Sequence, residues 1–313
     1  MNTLEIRPLH AVPVLPALAG PLVLAPVKAA APAWSRKKAR AMDGTTLLRR
    51  LVGLCLLQVR PNAEAIAHGS RDPGHVHQLR VGLRRLRSAA RGLRAFAGAL
   101  PHGWEAALMP VFKALGEARD RHVLATEIAP RLRAAGADLV DDAGHPGSDA
   151  AMLRQLVCGE RFQDLLRRLS AFAEADDPGV PDGREATGRR HLEQRLQKLA
   201  RDVARSARAF DDLSFEQQHA VRKRLKQLRY LAEFAAPAYG QDQVRRWLRR
   251  VAPAQDALGR HMDRMLAGRH FAARADVDPA AGFAAGWLRA KADRSARQAR
   301  RALLRLRATP TFW

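Results

Sequence analysis

His77-Gln78-Leu79-Arg80-Val81-Gly82-Leu83-Arg84-Arg85-Leu86-Arg87 and His219-Ala220-Val221-Arg222-Lys223-Arg224-Leu225-Lys226-Gln227-Leu228-Arg229 pass through the same residue classes in the same order, 142 residues apart. Some forty residues beyond each copy stands a second matching element, Leu115-Gly116-Glu117-Ala118-Arg119-Asp120 and Leu258-Gly259-Arg260-His261-Met262-Asp263, at an offset of 143. Two signatures at one offset mark an internal duplication. The chain therefore reads as two similar helical halves, related by an approximate two-fold axis and meeting near 176–190.

Wound as a helix at about 100° per residue with His77 at zero, Arg80, Arg84, Arg87, Arg91 and Arg94 fall between about 260° and 340°. Leu79, Leu83, Leu86, Ala90 and Leu93 occupy the adjoining arc, so one side is core and the other a ladder of cations rising one rung per turn. In the second copy His219, Arg222, Lys226 and Arg229 share an arc, beside the apolar face of Val221, Leu225, Leu228 and Ala232. Arg85 and Lys223 add charge beside the rungs. Like charges at this spacing repel by a few tenths of a kcal/mol per pair, about 0.2–0.5, and no Asp or Glu lies within 77–94 to relieve it. A solvated helix face is the ordinary reading of one such stripe. Here further stripes follow, at Arg195, Lys198, Arg201, Arg205 and Arg208 and at Arg294, Arg297, Arg301 and Arg305, and together they point to an anionic partner.

The rest of the chain agrees. Its 313 residues hold 54 Lys plus Arg against 31 Asp plus Glu, a formal charge of +23, with only 8 lysines. Arginine presents a planar fork that matches phosphate oxygens, and so large an excess weakens a compact fold unless an anion relieves it. With 47% apolar residues the chain is foldable, and no uninterrupted apolar run reaches the about eighteen residues of a membrane span. Residues 1–42 are Pro/Ala-rich, extended at best, and end in the basic run Arg36, Lys37, Lys38, Arg40. Glu5 and Pro13, Pro16, Pro21 and Pro26 argue against a signal peptide. Cys55 and Cys158, each in an apolar helical pattern, read as reduced core residues of a cytosolic protein.

From Asp43, a plausible N-cap, the pattern is helical: about 45–68, from Asp72-Pro73 to Gly98, then 103–115, 118–135, 149–173, 187–211, 214–236, 241–251, 254–267 and 279–308. Breaks at Asp141–Ser148 and Asp176–Gly183 are the clearest. No β-branched alternation occurs, and the expected class is all-α. The first half spans about 43–180 and the second about 181–313.

An anion built only of phosphate fits best. Aromatic residues make up 5% of the chain; none stands inside the ladders except Phe96 and Tyr230 at their ends, so stacking platforms for bases are missing. Asn, Gln, Ser and Thr that could read base edges are nearly absent from the ladders. Inorganic polyphosphate is the expected partner. A general RNA- or DNA-binding protein is the alternative, and a metal-dependent phosphohydrolase a more distant one.

The 77–87 string resembles the signature of the CHAD family (conserved histidine α-helical domain), as do its second copy at 219–230 with Glu233-Phe234, the Leu-Gly-x-x-x-Asp elements and the terminal Pro310-Thr311-Phe312-Trp313. The resemblance covers about 43–313. It implies two pseudo-two-fold-related four-helix bundles with a basic central channel, polyphosphate binding, and association with polyphosphate granules in the cytoplasm. It gives His77, Arg80, Arg84, Arg87, His219, Arg222, Lys226 and Arg229 the binding role; Arg85, Arg91, Lys223, Arg195, Lys198, Arg201, Arg205, Arg297 and Arg301 are expected to assist. Lys226 departs from the pattern of the first copy, keeping the charge of Arg84 but losing its fork. Members often carry an N-terminal CYTH domain, for which residues 1–42 are too short, so triphosphatase activity is not carried over.

No cofactor and no metal are expected. His75 and His77 lie about 200° apart on a helix, and no cysteine or carboxylate stands ready beside them and His68. Asp120 and Asp263 could form a dyad, but orienting a ladder arginine or capping a helix is the simpler role for each. Phosphoanhydride hydrolysis needs a metal or a water-activating carboxylate, and no acidic cluster, glycine-rich loop or activated nucleophile is visible. The expected protein is not an enzyme.

Overall fold

A computed structural model describes residues 25–139, 146–175 and 187–313. The break expected at Asp176–Gly183, the residues up to 145 of that at Asp141–Ser148, and most of the 1–42 segment lie outside them. Among the described residues every regular element is helical, as the sequence predicted. In chain order these are α1 (Arg36–Ala41), α2 (Gly44–Ala67), α3 (Pro73–Gly92), a 3₁₀ turn (Arg94–Ala99), α4 (Trp104–Val123), a π turn (Leu124–Ile128), α5 (Ala129–Arg133), α6 (Pro146–Cys158), α7 (Glu160–Glu174), α8 (Thr187–Ser206), α9 (Phe215–Tyr239), α10 (Gln241–Ala272), α11 (Pro279–Ala290) and α12 (Ala292–Arg307).

Local chemistry sets these boundaries. Asp43 caps α2, its Oδ1 accepting from the Thr45 and Thr46 amides at 2.7 and 3.1 Å. Asp72 and Asp278 do the same for α3 and α11, each followed by a proline at the first helical position, where its missing N–H is no loss. Ser214 and Gln217 close a capping box on α9, and Gly240, at φ +108°, ends it.

The chain divides into two compact units. The first holds residues 25–31, 42–116 and 147–175, the second 32–41, 117–139 and 187–313. In the first, α2 packs on α3 and α7, around a core that includes Leu48, Leu51, Leu79, Leu83, Leu108, Phe162 and Leu165. Gly82 permits the α2–α3 approach, since a Cβ there would lie 2.8 Å from Val59 Cγ2. In the second, α8 packs on α9, α9 on α10, α10 on α12 and α12 on α8, closing a ring of four helices. A satellite core joins Val123, Ile128 and Leu132 to Phe271, Ala284 and Leu288.

The expected cut near 180 is thus corrected in two places. Residues 117–139 belong to the second unit because the π turn and α5 bury their apolar side chains in that satellite core. Residues 32–41 belong there too, and their end is helical, not extended: Arg36 and Arg40 of α1 donate to the Tyr239 and Ala238 carbonyls at 2.9 and 3.1 Å. Two cations thereby satisfy the open C-terminus of α9. Residues 25–31 run extended along the first unit, where Asn62 exchanges two hydrogen bonds with the Val27 backbone.

Several helix boundaries also differ, among them that of 149–173, which is two helices, α6 and α7, parted at Gly159. α10 runs unbroken through Pro253; both Pro253 and Arg249, whose carbonyl it frees, are exposed, a position at which solvent access lowers the cost of the lost bond. α4 runs through Gly116, where the sequence suggested a break. The expected single helix at 279–308 is two, α11 and α12: Ala281, Ala284 and Leu288 face the satellite core, whereas α12 packs on α8 and α10, and one straight rod cannot serve both. Cys55 is buried as expected, but Cys158 is exposed, because Leu153 and Val157 take the buried arc of α6.

A polar cluster lies inside the four-helix ring. His261, 1% exposed, sits 2.8 Å from Ser295 Oγ through Nδ1 and 2.8 Å from Gln218 Oε1 through Nε2. Gln218 commits its amide NH₂ to the Phe210 carbonyl at 3.0 Å, so its oxygen faces the ring, and the network assigns the imidazole proton to Nε2. Burial, with the Arg264 charge adding to it, pushes the His261 pKa down to about 4. The unfolded chain binds a proton here below about 6.5 and the folded one does not. The His261 contribution is therefore present above that pH and is lost as pH falls from about 6.5 to 4, by up to about 3 kcal/mol. His261→Gln should lower the melting temperature at pH 7.5 yet show a shallower decline between pH 6.5 and 4.5 than the parent. Thermal unfolding followed by circular dichroism checks this, and parallel curves would refute the assignment.

Candidate functional site

The first ladder stands on α3. His77 and Arg91 are exposed, and Arg80, Arg84 and Arg87 are half-buried, which holds their stems while leaving the forks reachable. All three guanidinium groups gather over one ring, that of Phe112 on α4, at 5.5, 6.0 and 4.9 Å from its centroid. The negative face of an aromatic ring attracts cations without neutralising them. Arg80 reaches furthest into the joint between the helices. Its Nη1 occupies the place of a side chain at Gly116, where any Cβ would overlap it. The glycine that looked like a helix break is a seat for a guanidinium.

Lower on the ladder, Arg87 and Arg91 both donate to Glu105 Oε1, at 2.7 and 3.0 Å. The two guanidinium groups hold that carboxyl below the usual range, outweighing the opposing effect of its partial burial. Neither Phe112 nor Glu105 was recognised from the sequence. Both lie on the neighbouring helix with no mark of their own, although 112 stands four residues before Gly116 on α4, close enough to share its face.

The second ladder stands on α9, flanked by α8 and α10. His219, Arg222, Lys226 and Arg229 are half-buried and Lys223 is exposed. The rungs are held differently. Arg222 donates to Asp263 Oδ1 at 3.2 Å, which is the role of orienting a ladder arginine that the sequence proposed for that aspartate. Burial raises the Asp263 pKa; Arg222 and Lys226 oppose this, and the Asp120 and Glu127 charges add to it. Arg229 donates to Gln255 Oε1 at 3.1 Å and to Glu233 at 2.7 Å; burial would depress its pKa, and Glu233 more than reverses that. Position 255 is the counterpart of 112 at the repeat offset of 143. An amide has replaced the ring beneath the third rung.

The remaining predicted residues separate. Arg195 of α8 reaches Gln227 of α9 at 3.5 Å, about 80° around α9 from His219 and so off the ladder arc. Lys198, Arg201 and Arg205 are exposed, and Arg201 lies about 240° around α8 from Arg195. Arg297 and Arg301 are exposed on α12, which stands diagonally across the four-helix ring from α9. These rows do not join the α9 ladder. Arg85 is a correction: it is 2% exposed and donates to the Ala30 carbonyl at 3.2 Å, pinning the extended 25–31 segment. At about 80° from His77 it sits off the ladder arc, and its burial removes it from any ligand.

The other histidines near the first ladder are occupied. His75 is buried against Ser70 Oγ at 2.7 Å and His68 Nδ1 lies 2.9 Å from the Glu64 carbonyl. Among the described residues no group of His, Cys, Asp and Glu is arranged to hold a metal ion, and no helix is long and apolar enough to cross a membrane. The terminal Phe312 and Trp313 pack edge-on against Trp247, with ring centroids 5.5 and 5.2 Å away.

The family model for the CHAD domain matches residues 50–272. The crystal structure of the CHAD domain from the plant Ricinus communis is similar to this chain, with 27% identity and a TM-score of 0.72 over 89% of this chain and 96% of that one. No curated protein matches. The matched span takes in both ladders and both Leu-Gly-x-x-x-Asp elements, and the chain belongs to the CHAD domain family.

Proposed function

We propose that this protein binds inorganic polyphosphate through its two ladders, without catalysis, and acts as a granule-associated or scaffolding protein in the cytoplasm. One observation carries this reading: three guanidinium groups, Arg80, Arg84 and Arg87, gather over one aromatic ring on a single helix face. A π face attracts a cation without cancelling its charge, so the cluster keeps a surplus of positive charge to offer an anion even with Glu105 beside Arg87. The rungs on this face are all cationic, with Glu105 confined to the lower end and no amide or hydroxyl rung to read a base edge. A chain of phosphates meets successive rungs about 5.4 Å apart along α3. Each phosphate displaces condensed counterions, so affinity falls steeply with salt. Longer chains occupy more rungs at once and bind more tightly.

Replacing Arg80, Arg84, Arg222 and Lys226 together by Ala should weaken binding of long polyphosphate at least about 100-fold, as four charge-assisted contacts are lost, while the helical circular-dichroism signal persists. Retained affinity in that variant would place the binding face elsewhere. In competition at physiological salt, long polyphosphate should displace single-stranded RNA well below equimolar phosphate; equal affinity would favour a general nucleic-acid binder. Incubation with magnesium or manganese should release no orthophosphate.

Gly116→Ala separates binding from stability. Alanine favours a helix interior by up to about 1 kcal/mol over glycine, and the atom it displaces is the mobile tip of Arg80. The variant should melt no lower than the parent yet bind polyphosphate several-fold more weakly, as read by titration calorimetry. Parent-like affinity would mean that the seat of Arg80 is irrelevant to the ligand.

A further inference from the structure

The second unit carries a cavity of about 170 Å³ that the ladder does not use. It opens at one end of the four-helix ring, between α8, α12 and the terminal segment. Its floor is apolar, made by Val203, Leu228, Trp247 and Leu306, and its rim carries Arg201 and Arg307. No acidic side chain lines it. Among the described residues neither arginine makes an ion pair with a carboxylate. Gln197, also at the rim, accepts from Trp313 Nε1 at 2.9 Å, which leaves its amide NH₂ as a donor.

The wall opposite α8 is firm. The terminal segment that forms it is clamped by edge-on contacts of Phe312 with Tyr239 and of Trp313 with Trp247, at 5.4 and 5.2 Å. Thr309 and Thr311 beside the opening spend their hydroxyl protons on the Arg305 and Trp313 carbonyls. The cavity is thus preformed, and it meets α9 at Leu228, about 180° around that helix from His219 and on its apolar side.

We infer that this cavity is a binding site for a small amphipathic anion, a short alkyl or aryl group carrying one phosphate or carboxylate. The volume matches about five or six waters of liquid, too little for a drug-sized ligand but enough for a hydrocarbon stem. The floor rewards apolar burial, and two guanidinium forks with an amide donor meet the head group. A naked phosphate chain gains nothing from Val203, Leu228 and Leu306, and would lose hydration against them. Arg201, which the sequence placed in a stripe for a long polyanion, therefore serves with Arg307 a different and smaller ligand.

Titration calorimetry on the full chain, with hexyl phosphate, hexanoate, inorganic phosphate and hexanol, tests this. Hexyl phosphate, hexanoate or both should bind at least 10-fold more tightly than inorganic phosphate, and hexanol should not bind; the tighter of the two acids identifies the head group. Arg201→Ala with Arg307→Ala should lose at least 10-fold in affinity for that probe. Ala204→Leu, which fills the cavity without changing charge, should lose it as well while leaving polyphosphate binding at the parent level. Hexyl phosphate and hexanoate binding no better than inorganic phosphate, or Ala204→Leu binding its probe like the parent, would overturn the site. The ladder reading would stand in either case, since its own test is the fourfold ladder variant.

Discussion

Guanidinium groups set one helical turn apart on a half-buried face repel one another, and the architecture around both ladders answers the need to hold them there without discharging them. A carboxylate under every rung would settle the electrostatics and remove the function. The first unit uses weaker, non-neutralising partners for the upper rungs: the Phe112 ring for three arginines and the gap at Gly116 for the deepest. Glu105 is confined to the lower end, shared between Arg87 and Arg91. One negative charge between two positive ones orients both and still leaves a net cation.

The second unit reaches the same end by other chemistry. The duplication kept the rungs, at His219, Arg222, Lys226 and Arg229, but changed what lies beneath them. Gln255 stands where the first copy has Phe112, and Asp263 takes Arg222 while no side chain approaches Gly259. Arg222 and Arg229 are therefore tied to oxygen acceptors, and Lys226 brings a hydrated ammonium in place of a fork. The two ladders are not equivalent: the first gathers its rungs over an aromatic ring, and the second ties them to oxygen acceptors. Burial and the nearby Asp120 and Glu127 charges raise the Asp263 pKa despite Arg222 and Lys226.

What could be read from the sequence was whatever repeats or has a period. The rungs, the apolar arcs, the Asp43 and Asp72 caps and the all-helical class follow from spacing alone, and each stands where spacing put it. What could not be read was the partner across a helix pair. Phe112 and Glu105 are ordinary residues in a helical pattern, and only the crossing of α3 with α4 gives them their roles. Gly116 and Pro253 misled for a related reason: a helix breaker in sequence need not break a helix when a neighbour fills its gap or its orphaned carbonyl faces solvent. Arg85 shows the limit of charge counting, because a basic residue inside a basic motif turned out to be a buried peg for Ala30.

The distribution of the surplus charge bears on how such a protein stays folded. Exposed rows such as Arg297 and Arg301 sit in water, where repulsion is screened beyond about 8–10 Å at physiological salt, and they do little harm. The half-buried rungs are different, since the protein interior on one side weakens screening and concentrates the field on the other. The cost of the charge is therefore localised at the ladders, the same places where an anion would relieve it. An unfolded chain carries the same arginines but spreads them, so a polyanion gains less from it than from the folded ladder, and ligand binding must favour the folded state. On the proposed function, stability and binding are in this way coupled through one set of residues: the features that hold the rungs together in the empty protein are those that would make occupation favourable.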